Sequence, residues 1–152
     1  MILVATEPRE SAVAIVLLVL VTPVVVWWIV GDVSEVSGPS ADYLFRPPSV
    51  SAATETSLGV ASHLCAVVST AMLWRAHRRR PFGRRRVIAV GCLLLVGAIA
   101  GYGYRVLTAG VSGANIGGGL IILLGPVIIA GLLIAAIILG VREGKPPVMK
   151  TW

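Results

Sequence analysis

Four long apolar runs divide the sequence: residues 12–31, 58–75, 87–107 and 116–141 contain almost no ionisable side chains. A helix needs about 17 to 25 predominantly apolar residues to cross a hydrocarbon core, and each run approaches or exceeds that length. Backbone amides in lipid find no water to bond, so runs of this kind span as α-helices. The expected fold class is therefore all-α, an integral membrane bundle of four transmembrane helices, with residues 1–152 forming a single membrane domain. Composition agrees, because charged residues make up 13% of the chain, against about 25% in soluble domains. The remainder is one longer loop at 32–57, two tight connections and two short tails, too little for a separate soluble domain. Residues 1–10 lack a basic n-region, and the apolar stretch after them exceeds the roughly 7 to 15 residues of a signal-peptide core, so the first helix is expected to remain as an anchor.

Charge sets the expected orientation. The loop at 75–86 holds seven arginines in twelve positions: Arg75, Arg78, Arg79, Arg80, Arg84, Arg85 and Arg86. Lys and Arg concentrate in cytoplasmic loops, whereas acidic residues contribute little. Placing this loop inside puts both termini inside, together with Arg9, Arg142, Lys145 and Lys150, and leaves Arg46 and Arg105 near the outer face. That is eleven basic residues against two. Asp32, Glu35, Asp42 and Glu55 then lie outside. The expected localisation is the cell membrane, as a multi-pass protein. Heavy use of Arg over Lys, and of Ala, Val and Gly, fits a GC-rich genome and hence a bacterial cytoplasmic membrane. Beyond topology, the seven arginines are expected to contact anionic lipid headgroups, at about 1 kcal/mol per basic residue; docking to an acidic partner is a third reading. Nucleic-acid binding is not expected, since the loop has no stacking platform or folded module.

Along the chain, Ser11 is a good N-cap for helix one, and Pro23 removes a backbone hydrogen bond in its middle. Trp27 and Trp28 fall near its outer end, at headgroup level. In the outer loop, Tyr43, Leu44 and Phe45 either lie back on the bilayer or cap the bundle, and Pro47 and Pro48 stiffen the next residues into an extended segment. Helix two is the most polar, with Ser57, Ser62, His63, Cys65, Ser69 and Thr70, which suits the bundle interior. Pro81 and Gly83 break the chain into a hairpin. Helix three carries Gly97-x-x-x-Gly101, a spacing that lets two backbones approach closely, and Gly113 and Gly117 are counted with them as packing positions. Residues 108–119 hold five glycines, a composition poor for helix. They form either an outer turn feeding a glycine-lined face or a partly re-entrant element. Gly125-Pro126 marks a kink in helix four.

At about 1.5 Å per residue, His63 lies roughly 7 to 8 Å below the outer edge. Tyr102, Tyr104, Arg105 and Asn115 fall at or near that level. An ionisable residue within a span is costly unless paired or hydrated, which makes it a functional candidate. The candidate ligand site is His63, Tyr102, Tyr104, Arg105, Asn115 and Asp42, with Asp42 or Glu55 as counter-ion to Arg105. The competing reading is structural: a snorkelling Arg105, an aromatic belt, and His63 bonded across the bundle. No apolar run contains a carboxylate, and no His, Cys or carboxylate grouping has metal-ligand spacing, so no cofactor, metal or catalytic residue is expected. Cys65 and Cys92 lie at levels roughly 12 Å apart in a 30 Å core, too far for a disulfide, whose Cα atoms sit within about 7 Å.

The leading functional expectation is a non-enzymatic accessory or assembly subunit of a membrane complex, paired with another membrane protein or with itself through glycine-rich helix faces. The alternatives are a small oligomeric transporter or channel, and an enzyme on a lipid-borne substrate with His63 as base and Arg105 as phosphate clamp.

Overall fold

The computed structural model describes residues 7–36, 41–112 and 115–143. It contains four α-helices, α1 (Glu7–Val30), α2 (Ala52–Arg79), α3 (Arg84–Leu107) and α4 (Ile116–Glu143), and two short strands, β1 (Asp42–Tyr43) and β2 (Gly110–Val111). All four helices are long and apolar enough to cross a membrane, over Arg9–Val30, Ala52–Arg79, Arg84–Leu107 and Ile116–Val141. The architecture is that of a multi-pass, all-helical membrane protein.

The helices overrun the apolar stretches that mark them. α1 is already helical at Glu7, so Ser11 sits inside the helix, buried, and is not its cap. Pro8 is tolerated in a first turn because its missing N–H would be an orphan there anyway. α2 begins at Ala52 rather than near 58, behind Ser51, whose hydroxyl accepts from Thr54 N at 3.2 Å. That cap shortens the outer connection expected at 32–57. At the other end, α2 runs to Arg79 and α3 starts at Arg84, which leaves only residues 80–83 between the helices. The expected loop at 75–86 is thus mostly helix: Arg75, Arg78 and Arg79 ride on the last turns of α2, and Arg84, Arg85 and Arg86 on the first turn of α3. Arginine is a strong helix former, so it is Pro81 and Gly83, not the charges, that break the chain. Hydropathy marks where hydrocarbon ends; caps and helix breakers decide where the helix ends.

α1 packs extensively on α2 and on α3, and α3 packs on α4. Among the described residues no comparable pairing joins α2 to α4, so the bundle is open, in the order α2–α1–α3–α4. Close approach on both sides of α1 depends on missing side chains. A Cβ at Gly97 would sit 3.0 Å from Thr22 Cβ, and one at Gly101 would run into the Pro23 carbonyl oxygen. A Cβ at Gly59 of α2 would overlap the Trp28 indole. Gly117 lies beside Val106, and Gly113 falls outside the described residues. Within α1, Pro23 cannot donate a hydrogen bond, and the neighbouring Thr22 hydroxyl bonds back to Leu18 O at 2.6 Å. The interrupted turn of α1 is therefore where the α3 glycines make their tightest contacts.

Candidate functional site

The last carbonyls of any helix lack intrahelical partners. α1 ends at Val30, and Gly31 follows in the left-handed region at φ 69°, a conformation glycine adopts without penalty. Trp27 O is one of the carbonyls left over, and Arg105 of α3 takes it, with Nε donating at 2.8 Å. The same guanidinium lies over the Trp27 ring, 4.2 Å from its centroid. It also donates from Nη2 to Glu55 Oε1 of α2 at 2.5 Å. One side chain thereby joins α1, α2 and α3, with the positive charge at a helix C-terminus, where the macrodipole favours it. The Arg105 side chain is 13% exposed and Glu55 36%, so the pair is shielded on one side only.

The α1–α2 and α3–α4 connections interlock at the same end of the bundle as this clasp. β1 and β2 pair antiparallel, with Asp42 opposite Val111 and Tyr43 opposite Gly110. Gly110 O accepts from Glu35 N at 2.9 Å and Val36 N at 3.2 Å, and Gly110 N donates to the Ser34 hydroxyl at 3.0 Å. A Cβ at Gly110 would collide with Val36 O and press on the Tyr43 ring, so only glycine fits there. Phe45 N donates to Leu107 O at 3.1 Å, satisfying a carbonyl at the end of α3. Residues 108–112 are thus woven into the connection between α1 and α2. Asp32 accepts from Ser34 N at 3.0 Å. The Ser34 hydroxyl and N–H, and more weakly the Arg105 guanidinium, hold the Asp32 carboxyl below the usual carboxylate range.

Asn115 serves two helices at once. Its Oδ1 accepts from Gly118 N at 2.6 Å, capping α4, and its Nδ2 donates to Val106 O at 3.0 Å near the end of α3. His63 Nδ1 bonds Gly59 O at 2.8 Å within α2; since a carbonyl only accepts, Nδ1 carries the proton. The ring meets Trp28 edge-on at 5.0 Å. Tyr102 and Tyr104 are 49% and 43% exposed on the outside of α3. Asp42 is exposed in β1. The structure therefore brings together Arg105, Glu55 and Trp27, sets His63 against Trp28, uses Asn115 as a cap, and leaves the tyrosines and Asp42 outside that group. Of the two candidate counter-ions, Glu55 is the one in contact. Sequence reasoning missed Trp27 as Arg105's partner, and missed Ser34 and Gly110. Ser51, three residues before Thr54, was the available signal that α2 starts early enough to carry Glu55.

The opposite end is organised by rings. Arg78 lies over Trp74 at 5.2 Å and Arg86 over Phe82 at 4.8 Å. Phe82 N donates to His77 Nδ1 at 3.1 Å, which folds the short turn against the end of α2. Arg75, Arg78, Arg79, Arg80, Arg84 and Arg85 are exposed and Arg86 is half-buried. Cys65 and Cys92 are both free thiols. Among the described residues no group of three or more His, Cys, Asp or Glu side chains is placed to hold a metal ion, and no buried side-chain N or O lacks a hydrogen-bond partner. Compared with known protein families, curated proteins and solved structures, the chain matches none.

Proposed function

We propose that this protein is a non-enzymatic accessory or assembly subunit of a membrane complex, oriented with its basic end in the cytoplasm. The observation that carries this reading is the open helix order: among the described residues α2 and α4 each have one extensively packed helix neighbour, so their other faces are available to another membrane protein or to a second copy. The polar groups at the outer end support it, because Arg105, Glu55 and Asn115 are engaged in joining helices and connections. A catalytic pair of His63 and Arg105 gains no support from bonds that commit both to protein carbonyls. Purification in a mild detergent followed by crosslinking is expected to give a defined oligomer or a co-purifying membrane protein; a monodisperse, uncrosslinked monomer counts against the reading.

Orientation has its own test. With Cys65 and Cys92 replaced by Ala, a cysteine introduced at the exposed Ser112 should react with a membrane-impermeant maleimide added outside cells. One introduced at Arg80 should react only after permeabilisation. The reverse pattern inverts the topology. The transporter reading draws on Pro23 and Pro126, which lie inside α1 and α4; impermeant labelling deep within α4 would favour it over the subunit reading.

A further inference from the structure

The basic end carries a feature that orientation does not explain. An open groove of about 560 Å³ runs along the outward face of α2, lined among the described residues by Ala66, Val67, Thr70, Ala71 and Trp74. On a helix, residues four apart stack in rows. The groove is bounded by two such rows, Ala66-Thr70-Trp74 and Val67-Ala71, and the next residues in those rows are Arg78 and Arg75. A furrow of mostly small side chains thus leads straight to two exposed guanidinium groups. At about 1.5 Å per residue the furrow from Ala66 to Trp74 is about 12 Å long, close to half of the roughly 30 Å hydrocarbon core, which is the depth one acyl chain reaches.

We propose that this groove and its two arginines bind one phospholipid of net negative charge, the acyl chain along Ala66, Thr70 and Ala71 and the headgroup phosphate at Arg78 and Arg75. Charge complementarity selects the occupant. A second copy seated in the same groove would bring its own arginine cluster to the same level, where like charges repel, whereas an anionic lipid neutralises the cluster. Trp74 prepares the site: the residue is 61% exposed where it lines the groove, and Arg78 lies over its ring at 5.2 Å. A stacked guanidinium keeps its N–H edge free for the two parallel bonds that a phosphate accepts, and loses less rotamer freedom on binding. The site lies in whichever leaflet the basic end meets, so its failure leaves the proposed orientation and the subunit reading untouched.

The test is quenching of tryptophan fluorescence in the full chain, reconstituted in phosphatidylcholine vesicles. Phosphatidylglycerol brominated on its acyl chains is compared with brominated phosphatidylcholine at equal mole fraction. The anionic lipid should quench more, and the excess should disappear in Trp74→Phe. Arg78→Gln should weaken the preference about fivefold, the equivalent of roughly 1 kcal/mol per basic residue at an anionic surface. Arg84→Gln, on the first turn of α3 and away from the groove, should change it far less. Ala71→Leu fills the furrow without changing charge and should abolish the excess; Thr70→Leu serves the same purpose if that variant fails to insert. Equal losses from Arg78→Gln and Arg84→Gln would mean diffuse attraction and overturn the site. An excess that survives Trp74→Phe, or both groove-filling changes, would also overturn it. So would crosslinking that places a second copy of α2 in the groove.

Discussion

The two ends of the molecule handle arginine in opposite ways. At the end opposite the arginine turn, Arg105 has three protein partners, a carbonyl, an indole and a carboxylate, contributed by two other helices. At the basic end Arg78 and Arg86 lie over Trp74 and Phe82, residues of the helix end and turn beside them, with Arg78 exposed and Arg86 half-buried. The first arrangement ties elements far apart in sequence and belongs to the fold. The second orders side chains locally, each guanidinium on a ring close to it in sequence. Residue type alone therefore says little about an arginine's role; the sequence distance to its partners says more.

That contrast is most sharply tested by Arg105→Ala, which removes a charged hydrogen bond, a ring stack and the counter-ion of a partly buried carboxylate. The expected loss is about 3 kcal/mol, read as a lowered midpoint of thermal unfolding in detergent, against less than about 0.5 kcal/mol for Arg84→Gln at the basic end. Comparable losses from the two changes would erase the distinction. Next in size is Gly101→Ala, which forces α3 away from the Pro23 carbonyl and should cost about 1–3 kcal/mol as an overpacked contact. The same substitution at Gly91, where a Cβ meets nothing within 4 Å, should be close to neutral. Asn115→Ala should lose about 1 kcal/mol, the usual worth of an N-cap, and speed hydrogen exchange at Gly118.

The smallest effect is acid sensitivity confined to the Arg105 end. The folded state holds the Asp32 carboxyl below its ordinary value, so the stabilisation is present above the unfolded carboxylate pKa and is lost as pH falls through the folded one, below about pH 4. Because Asp32 is largely exposed, the change should be slight, and Asp32→Asn should remove it from a pH series of unfolding midpoints.

The spans were legible because hydrocarbon imposes a composition that no soluble region shares. The ends were not, because they are set by groups outside the apolar runs: the Ser51 hydroxyl begins α2 well before Leu58, and Pro81 stops a helix that the arginines would have continued. The same misplacement blurs the clasp. With α2 expected to begin at 58, Glu55 and Asp42 are equivalent loop carboxylates; on the first turn of α2, Glu55 is held where Arg105 reaches it. Depth is readable from residue spacing, but direction around the helix is not. Tyr102, Tyr104 and Arg105 share a level, yet only Arg105 turns toward α1. Trp27's part is invisible in sequence because its carbonyl accepts the bond, and every helix end has such a carbonyl.

The clasp also has an order in time. Glu55 and Trp27 precede Arg105 by 50 and 78 residues, and at roughly 5–20 residues per second a ribosome needs about 2.5 to 10 s to go from Glu55 to Arg105. During that interval α1 and α2 are held together by their own packing, with the Trp28 indole over Gly59, while the Glu55 carboxylate and Trp27 carbonyl await their partner. The arrival of the third helix is then what fastens the first two, and a chain that stops before residue 105 lacks the guanidinium that joins them.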